Sequence, residues 1–382
     1  MRFAIVGCGY VADFYLATVA NHPELELAGV FDRDPERARR FAAHHGLHRF
    51  DSYEQILDDT SIVLVANLTN PSSHYEVSKA ALEADKHVYS EKPLATSLAD
   101  ATELVELAEQ RDLLITSAPC SVLGETAQTL WKAIREERVG VPRLIYADID
   151  DGPKALQDRS GWLSDSGVPW PAKDEFEMGC TLEHAGYYLT WMTVFFGRVI
   201  RMTTFSNVLM EDKGIPLDIR ANDFSVSCFE FESGPTMRLT CSIYAPDDRR
   251  LRIFGDGGVL STHDCWDYGS PVYLSKRTPL GLRAEAHPKL ARLTGLGQRR
   301  VPLVRQPKFG YAVSGSNPMD FCRGVVDLVE AVRDERAPRL SARWSLHVNE
   351  LVLAMQHPDQ YGTTRTIEST FETMAPMTWA ED

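Results

Sequence analysis

The 382-residue chain has few cysteines, no long apolar run and no excess of positive charge, and each absence excludes a class of protein. Its seven cysteines are scattered and never stand in CxxC spacing, which argues against a disulfide framework and a structural zinc site. No stretch approaches the roughly 18 apolar residues that span a bilayer. A net charge of −14 gives the chain no general affinity for nucleic acid or an anionic membrane. We therefore expect a protein that acts on a small molecule, with neither nucleic acid nor membrane as a partner.

The chain opens directly on an apolar run, Arg2–Val6, with no secretory signal before it. Together with the scattered thiols, this predicts a cytoplasmic location. A composition of 44% hydrophobic and 25% charged residues is typical of a folded globular protein, and the length favours two domains.

The first 120 residues alternate two periodicities. Short apolar runs predict buried parallel strands at Arg2–Val6, Leu25–Phe31, Ile62–Asn67, His87–Ser90 and Leu113–Ser117. Helical patterns lie between them at Val11–Asn21, Pro35–His45, Ser73–Ala84 and Leu98–Gln110. This alternation predicts an α/β Rossmann domain with a doubly wound parallel sheet over residues 1–120.

The rest of the chain, residues 121–382, has a different rhythm. Helical patterns cover Thr126–Glu137 and the region Gly179–Phe196, and strand-like runs with little helix between them extend from Val199 to Thr262. Two further helices, Met319–Arg333 and Ser341–Met355, follow, and we expect that they pack back on the first domain. The pattern predicts an α+β domain with a large, open and mostly antiparallel sheet.

The segment Gly7–Ala12 has the form G-x-G-x-x-A directly after a strand and at the start of a helix. Gly7 permits the tight turn, Gly9 lets the backbone approach a pyrophosphate, and Ala12 allows close packing of the helix. Asp32 stands 23 residues after Gly9, where a carboxylate binds the adenosine ribose. That carboxylate would repel a 2′-phosphate, so NAD is favoured over NADP. Arg33 could stack on adenine or contact such a phosphate.

Two further polar segments follow predicted strands, at the sheet edge where ligands bind. Asn67–His74 supplies small polar groups and a helix start, and Tyr89–Pro93 supplies the carboxylate of Glu91 and the ammonium of Lys92. For His74, a hydrogen bond to nearby backbone competes with a ligand contact. The residues expected at the cofactor are Gly7, Gly9, Tyr10, Val11, Ala12, Asp32, Arg33, Thr69, Asn70, His74, Glu91 and Lys92.

With these motifs, above all Glu91-Lys92-Pro93-Leu94-Ala95, the chain resembles the Gfo/Idh/MocA oxidoreductase family, which includes glucose–fructose oxidoreductase and inositol dehydrogenase. The resemblance covers most of the chain. It implies NAD(P)-linked oxidation or reduction of a secondary alcohol or ketone of a sugar, cyclitol or nucleotide-sugar. It also implies a homodimer or homotetramer that assembles through the C-terminal sheet.

The family's second signature, D-x-G-x-H-x-x-D, matches Cys180–Tyr187 only in part. His184 falls on the family's histidine, while Cys180, Leu182 and Tyr187 replace its aspartate, glycine and final acid. The resemblance therefore implies Lys92 and His184 as catalytic residues. At helical spacing, Cys180, Tyr187 and Tyr188 share the face of His184, and we expect them near the substrate. Glu183 is expected to point elsewhere, as a structural or ion-pairing residue.

Two alternatives to a dehydrogenase remain open: a glycosidase that oxidises its substrate transiently through bound NAD, and a nucleotide-binding regulatory protein without catalysis. No cluster of side chains has metal spacing, so no metal is expected. The segment 276–308 carries nine Lys/Arg and one acid, Glu285. It is interpreted either as a solvated loop or oligomer contact, or as a clamp for an anionic part of the substrate.

Overall fold

Two β-sheets organise the chain in a computed structural model, which describes residues 1–277, 287, 297–308 and 318–381. The first sheet has five parallel strands in the order β2-β1-β3-β4-β5. Its strands are β1 (Arg2–Val6), β2 (Glu26–Phe31), β3 (Leu64–Asn67), β4 (His87–Ser90) and β5 (Ile115–Ser117). Its helices are α1 (Ala12–Val19), α2 (Pro35–His45), α3 (Tyr53–Asp58), α4 (His74–Glu83) and α5 (Leu98–Gln110). The expectation of a doubly wound parallel sheet is confirmed.

Helix α3 is the one element of this sheet region that the periodicity did not predict. It has only six residues and buries a single apolar side chain, Ile56, so its pattern is too short to stand out. The side chain of Ser52 caps it by accepting a hydrogen bond from the Gln55 backbone N–H.

The second sheet has nine strands in the order β13-β12-β11-β10-β6-β9-β8-β7-β14. All neighbouring pairs are antiparallel except β6 and β9, which confirms the large and mostly antiparallel sheet. Its strands are β6 (Pro142–Asp150), β7 (Val199–Asn207), β8 (Phe224–Phe231), β9 (Thr236–Ser242), β10 (Leu251–Gly255), β11 (Gly258–Thr262), β12 (Val272–Lys276), β13 (Arg299–Val301) and β14 (Thr364–Thr366).

Helices cover one face of the second sheet because its strands alternate buried apolar side chains with outward-facing ones. The helices of this part are α6 (Glu125–Arg135), α7 (Ala172–Met178), α8 (Cys180–His184), α9 (Gly186–Phe196), α10 (Arg323–Arg333), α11 (Ala342–Gln356) and α12 (Pro358–Tyr361). The helix expected over Gly179–Phe196 is divided into α8 and α9, with Ala185 between them. Within the described ranges, none of the helices has the length and apolarity to cross a membrane.

The last helices connect the two sheets. Cys322, Val325 and Val329 around α10 share one apolar cluster with Phe3 and Ile5 of β1. On α11, the side-chain amide of Asn349 donates to the Ala95 carbonyl oxygen at 3.1 Å, and Ser345 Oγ accepts from the Ser117 backbone N–H at 3.2 Å. These contacts hold the carboxyl end of the parallel sheet against the second sheet's helices. The division into domains at residue 120 stays a prediction.

Candidate active site

A cleft of about 1710 Å³ lies at the carboxyl ends of the parallel strands. One end is formed by the loop between β1 and α1, and the other by α7, α8 and the segment after β6. Most of the residues predicted from the sequence contribute to it, together with several that the sequence did not indicate.

The turn between β1 and α1 has the shape of a cradle for a diphosphate. Gly7 has φ of +103°, and a Cβ on it would lie 2.5 Å from the Leu68 carbonyl oxygen, so only glycine fits. A Cβ on Gly9 would meet nothing within 4 Å, so the space above this residue is open. The backbone N–H groups of Gly9, Tyr10 and Val11 donate to no described residue. Free N–H groups at a helix start suit the pyrophosphate of NAD or NADP.

Asp32 lies beside this cradle and organises it. Its Oδ2 accepts a hydrogen bond from the Cys8 backbone N–H at 2.9 Å, and its Oδ1 accepts from the Asp34 N–H at 2.8 Å. The neighbouring part of the cleft is lined by Arg37 and Arg40 of α2, with Arg37 Nη1 3.6 Å from Asp32 Oδ2. Arg33, expected at the cofactor, is exposed and does not line the cleft. Arg37 and Arg40, which do line the cleft, stand four and seven residues after Arg33 in the sequence.

Thr69, Asn70 and Glu91 line the cleft, but His74 does not. The His74 ring is fully buried, with Nδ1 2.7 Å from the Pro93 carbonyl oxygen and Nε2 2.9 Å from that of Thr69. Burial lowers the pKa of His74, which suits a ring with no contact to solvent. The expected cofactor contact is therefore corrected: His74 holds two strand-end loops together from behind.

Lys92 follows β4, and its ammonium forms an ion pair with Glu183 of α8. Burial alone would lower the pKa of Lys92, but the carboxylates of Glu183 and Glu175 raise it above its ordinary value. Lys92 is therefore a cation at neutral pH. Glu183 was expected to be an ion-pairing or structural residue that points away from the site. It does form an ion pair, with Lys92, but it lines the cleft.

His184 also lines the cleft, next to the carboxylate of Asp151 at the end of β6. The two are 3.5 Å apart from Nε2 to Oδ2, and Nδ1 is buried without a partner among the described residues. Burial lowers the pKa of His184, Asp151 raises it, and the charge of Lys92 lowers it, with a net lowering. The imidazole is therefore neutral at neutral pH and able to accept a proton.

Of the three residues expected near the substrate, the structure brings only Tyr187 to the cleft. Cys180 is buried, and its thiol faces the Cys241 carbonyl oxygen at 3.6 Å. Tyr188 is fully buried and donates its hydroxyl hydrogen to the Arg249 carbonyl oxygen. Both expectations are corrected, because Cys180 on α8 and Tyr188 on α9 are buried in the core and do not face the cleft.

The cleft residues that were not anticipated include Asp151, Glu175 and Trp266. The Trp266 ring lies 5.7 Å from that of His184 and 5.4 Å from that of Tyr187. Burial, and then the charge of Glu183, raise the pKa of Glu175 to about 8. The run Asp148–Asp151 at a strand's carboxyl end was the one sequence signal for Asp151, since ligand groups gather there.

A hairpin over Trp162–Trp170 crosses the cleft and touches the cofactor end. It is closed by the Trp170 N–H, which donates to the Trp162 carbonyl oxygen at 2.8 Å, and both indoles line the cleft. At its tip, Ser166 donates its hydroxyl to Asp13 of α1 at 2.7 Å. Trp191, by contrast, is buried in the core.

The tip of this hairpin also brings together His44, His45 and Asp165, whose ligand-type atoms lie within 4.8 Å of one another. No sequence spacing indicated this group. His44 Nε2 lies 3.1 Å from an Asp165 carboxylate oxygen and His45 Nε2 lies 2.6 Å from one of Asp13, so the contacts of this group are hydrogen bonds that fasten the hairpin to α1 and α2.

The described members of the basic segment 276–308 lie at the β12–β13 edge of the second sheet, and none of them lines the cleft. Arg305 pairs with Glu125 at 2.9 Å and stacks over Trp379 at 3.8 Å. Residues 278–286 and 288–296 lie outside the described residues. The described contacts favour the structural interpretation of this segment over the substrate clamp.

Comparison with known proteins matches two family models to the chain. "Oxidoreductase family, NAD-binding Rossmann fold" matches residues 1–118, and "GFO/IDH/MocA C-terminal domain" matches residues 127–261. An uncharacterised oxidoreductase of Synechocystis sp. is 22% identical over 359 residues, with 91% of each chain covered.

Two relatives with named activities or ligands are also similar. UDP-N-acetylglucosamine 3-dehydrogenase of Acidithiobacillus ferrooxidans is 29% identical over 148 residues, which cover 39% of this chain and less than half, 45%, of that one. A dehydrogenase of Bordetella pertussis, solved with NADH and UDP-GlcNAcA, superposes with a TM-score of 0.70. It is 18% identical, with 96% of this chain and 98% of that chain covered, so it supports the fold.

The different surroundings of Gly7 and Gly9 give a paired prediction. Gly9→Ala should weaken NAD binding roughly 10- to 100-fold, because the added methyl group enters the open space of the cradle. Its free energy of unfolding should stay within about 0.5 kcal/mol of wild type. Gly7→Ala should cost about 1–3 kcal/mol of stability through backbone strain and overlap with Leu68. Calorimetric NAD titration and urea denaturation measure both. Wild-type NAD affinity in Gly9→Ala would contradict the assignment of the cradle.

Proposed function

Because the chain belongs to the Gfo/Idh/MocA oxidoreductase family, we propose that it transfers a hydride between NAD(P) and a secondary alcohol or ketone of a sugar, cyclitol or nucleotide-sugar. One observation carries the proposal. A lysine held as a cation by Glu183 and a neutral histidine beside Asp151 face the same end of a cleft whose other end is a diphosphate cradle.

The dinucleotide would be held by Gly7–Ala12, Asp32, Thr69, Asn70 and Glu91. Bound at these residues, NAD(P) supplies the acceptor or donor of the hydride at its nicotinamide ring. Asp32 favours NAD, since its carboxylate repels a 2′-phosphate. Arg37 and Arg40 lie close enough to the same end to accommodate NADP as the weaker ligand.

Lys92 and His184 have different roles at the substrate oxygen. The Lys92 ammonium donates a hydrogen bond to that oxygen and stabilises the negative charge that develops on it. His184 accepts the hydroxyl proton during oxidation, and Asp151, 3.5 Å from its Nε2, stabilises the imidazolium that forms. Asp151 thus has the role of the aspartate that the family signature contains at the position where this chain has Cys180. Trp266 and Tyr187 limit water around the imidazole.

The function is tested by offering the purified protein polyols, sugars and nucleotide-sugars with NAD or NADP and following NADH absorbance. We expect net NADH formation with at least one ring alcohol, and a higher kcat/KM with NAD. Lys92→Ala and His184→Ala should each reduce kcat by about 10² to 10⁴, because each removes a group that acts on the reacting oxygen.

The alternatives give different outcomes in the same assay. Substrate consumption without net NADH would indicate the glycosidase that oxidises transiently. Full biological activity of both alanine variants would indicate a regulatory protein. Failure of both dinucleotides to bind would refute the proposal.

The Asp151–His184 pair predicts a specific change with pH. The Asp151 carboxylate raises the pKa of His184, so Asp151→Asn should lower that pKa further and move the acid limb of kcat/KM to lower pH. The rate at the plateau should fall as well, because the imidazolium loses its counter-charge. Asp148→Asn, on the outward face of the same strand, is the matched control and should keep the wild-type profile. An acid limb that stays in place in Asp151→Asn would remove Asp151 from the proton path.

We also propose a homodimer or homotetramer that assembles through the outward face of the second sheet. That face carries Phe205, Phe224 and Phe254 on three of its strands, with Phe205 60% exposed. Light scattering should give a mass of two or four chains, and Phe205→Glu should reduce that mass. A wild-type monomer would contradict this assembly.

We further propose a cytoplasmic location, which the seven free cysteines support. Cell fractionation tests it.

A further inference from the structure

The substrate end of the cleft carries more acidic than basic side chains. Its five carboxyl groups belong to Asp151, Asp174, Glu175, Glu183 and Asp247. Its three cations belong to Lys92, Lys154 and Arg249. Even with Glu175 protonated, a substrate that enters this end meets more carboxylates than cations before it contributes any charge of its own.

Each of the three cations is already neutralised within the protein. Lys92 pairs with Glu183, Lys154 lies 2.9 Å from Asp151, and Arg249 lies 3.2 Å from Asp264. Lys154 and Arg249 are also held over indole faces, at 4.9 Å and 4.4 Å from the ring centroids. A substrate carboxylate or phosphate would have to displace one of these partners to gain a cation.

Glu175 is the carboxyl group without a counterpart. Asp174, its neighbour on α7, accepts a hydrogen bond from the Asn70 side-chain amide at 2.6 Å. The Glu175 carboxyl lines the cleft and has no hydrogen bond or ion pair with any residue in the described part of the chain. Burial and the charge of Glu183 raise its pKa to about 8, and the charges of Lys92 and Lys154 offset this only in part.

From this charge distribution we propose that the natural substrate carries an amine, as an amino sugar or an aminocyclitol does, and that its ammonium pairs with Glu175 while sugar acids are rejected. This inference rests on the proposed function, since it concerns the same cleft and the same hydride transfer. The ammonium supplies the cation that Glu175 lacks, and the secondary alcohol remains at Lys92 and His184. Glu175 is thus a specificity residue that binds the part of the substrate that does not react.

The kinetic test compares rings of one configuration in three charge states: glucosamine, glucose and glucuronate, the matching galactose set, and an aminocyclitol beside its inositol. In at least one set, kcat/KM for the amine should exceed that for the neutral ring roughly 10- to 100-fold, as expected for a charge-assisted hydrogen bond. The sugar acid of a set should have the lowest kcat/KM. In Glu175→Gln the ratio of kcat/KM for the amine to kcat/KM for the neutral ring should fall to about one.

Glu177→Gln is the matched control, because Glu177 is on the same helix but pairs with Lys173 outside the cleft. It should keep the wild-type preference for the amine. Turnover of neutral rings with no preference for the amine, or the same preference in Glu175→Gln as in wild type, overturns this inference and leaves the proposed function standing. No turnover of any ring with either dinucleotide contradicts both.

A second measurement does not depend on turnover. Carbon NMR of protein labelled at the glutamate carboxyl groups should show one group that titrates near pH 8, and its signal should be missing in Glu175→Gln. Saturation with the preferred amine should move that titration to lower pH, because an ammonium favours the carboxylate. A Glu175 carboxyl that titrates near the ordinary glutamate value of about 4.3, or that does not respond to the amine, overturns the inference.

Discussion

The ion pair between Lys92 and Glu183 is the contact on which the geometry of the cleft depends. It joins the end of a parallel strand to helix α8, which packs on the second sheet, and it does so at the place where the reaction is proposed to occur. A partly buried ion pair tolerates little displacement, because either charge left alone would be severely desolvated. His184 follows Glu183 directly, so the carboxylate that orients the ammonium of Lys92 also sets its distance from the imidazole of His184.

The parallel sheet and its cofactor loop could be predicted because their signals are local. The strands of the first sheet are short apolar runs, and Gly7–Ala12 and Glu91–Leu94 are contiguous motifs whose roles depend on neighbouring backbone. Helix α2 was predicted with its observed bounds because Asp34, Pro35 and Gly46 mark both of its ends.

The part of the cleft around His184 and Lys92 could not be predicted in the same way. Asp151, Glu175 and Trp266 come from three separate segments and meet His184 or Lys92 only through packing across the two sheets. Helical spacing placed Cys180 and Tyr188 beside His184, but it does not tell which side of a short, interrupted helix faces solvent. For His74 the sequence left two possibilities, and burial decides for the backbone contacts.

The packing of α10 has a consequence for the way the chain is made. The strands, helices and cofactor motifs of the parallel sheet are all encoded before residue 120, but part of the apolar surface of β1 and α1 is covered by side chains from 322–329. A chain emerging from the ribosome therefore exposes this surface while eight of the nine strands of the second sheet are still being synthesised. The motifs are contiguous in the first third of the sequence, whereas burial of the core around them is completed only near the end of translation. A chaperone that shields this patch would be needed longest for the segment that is synthesised first.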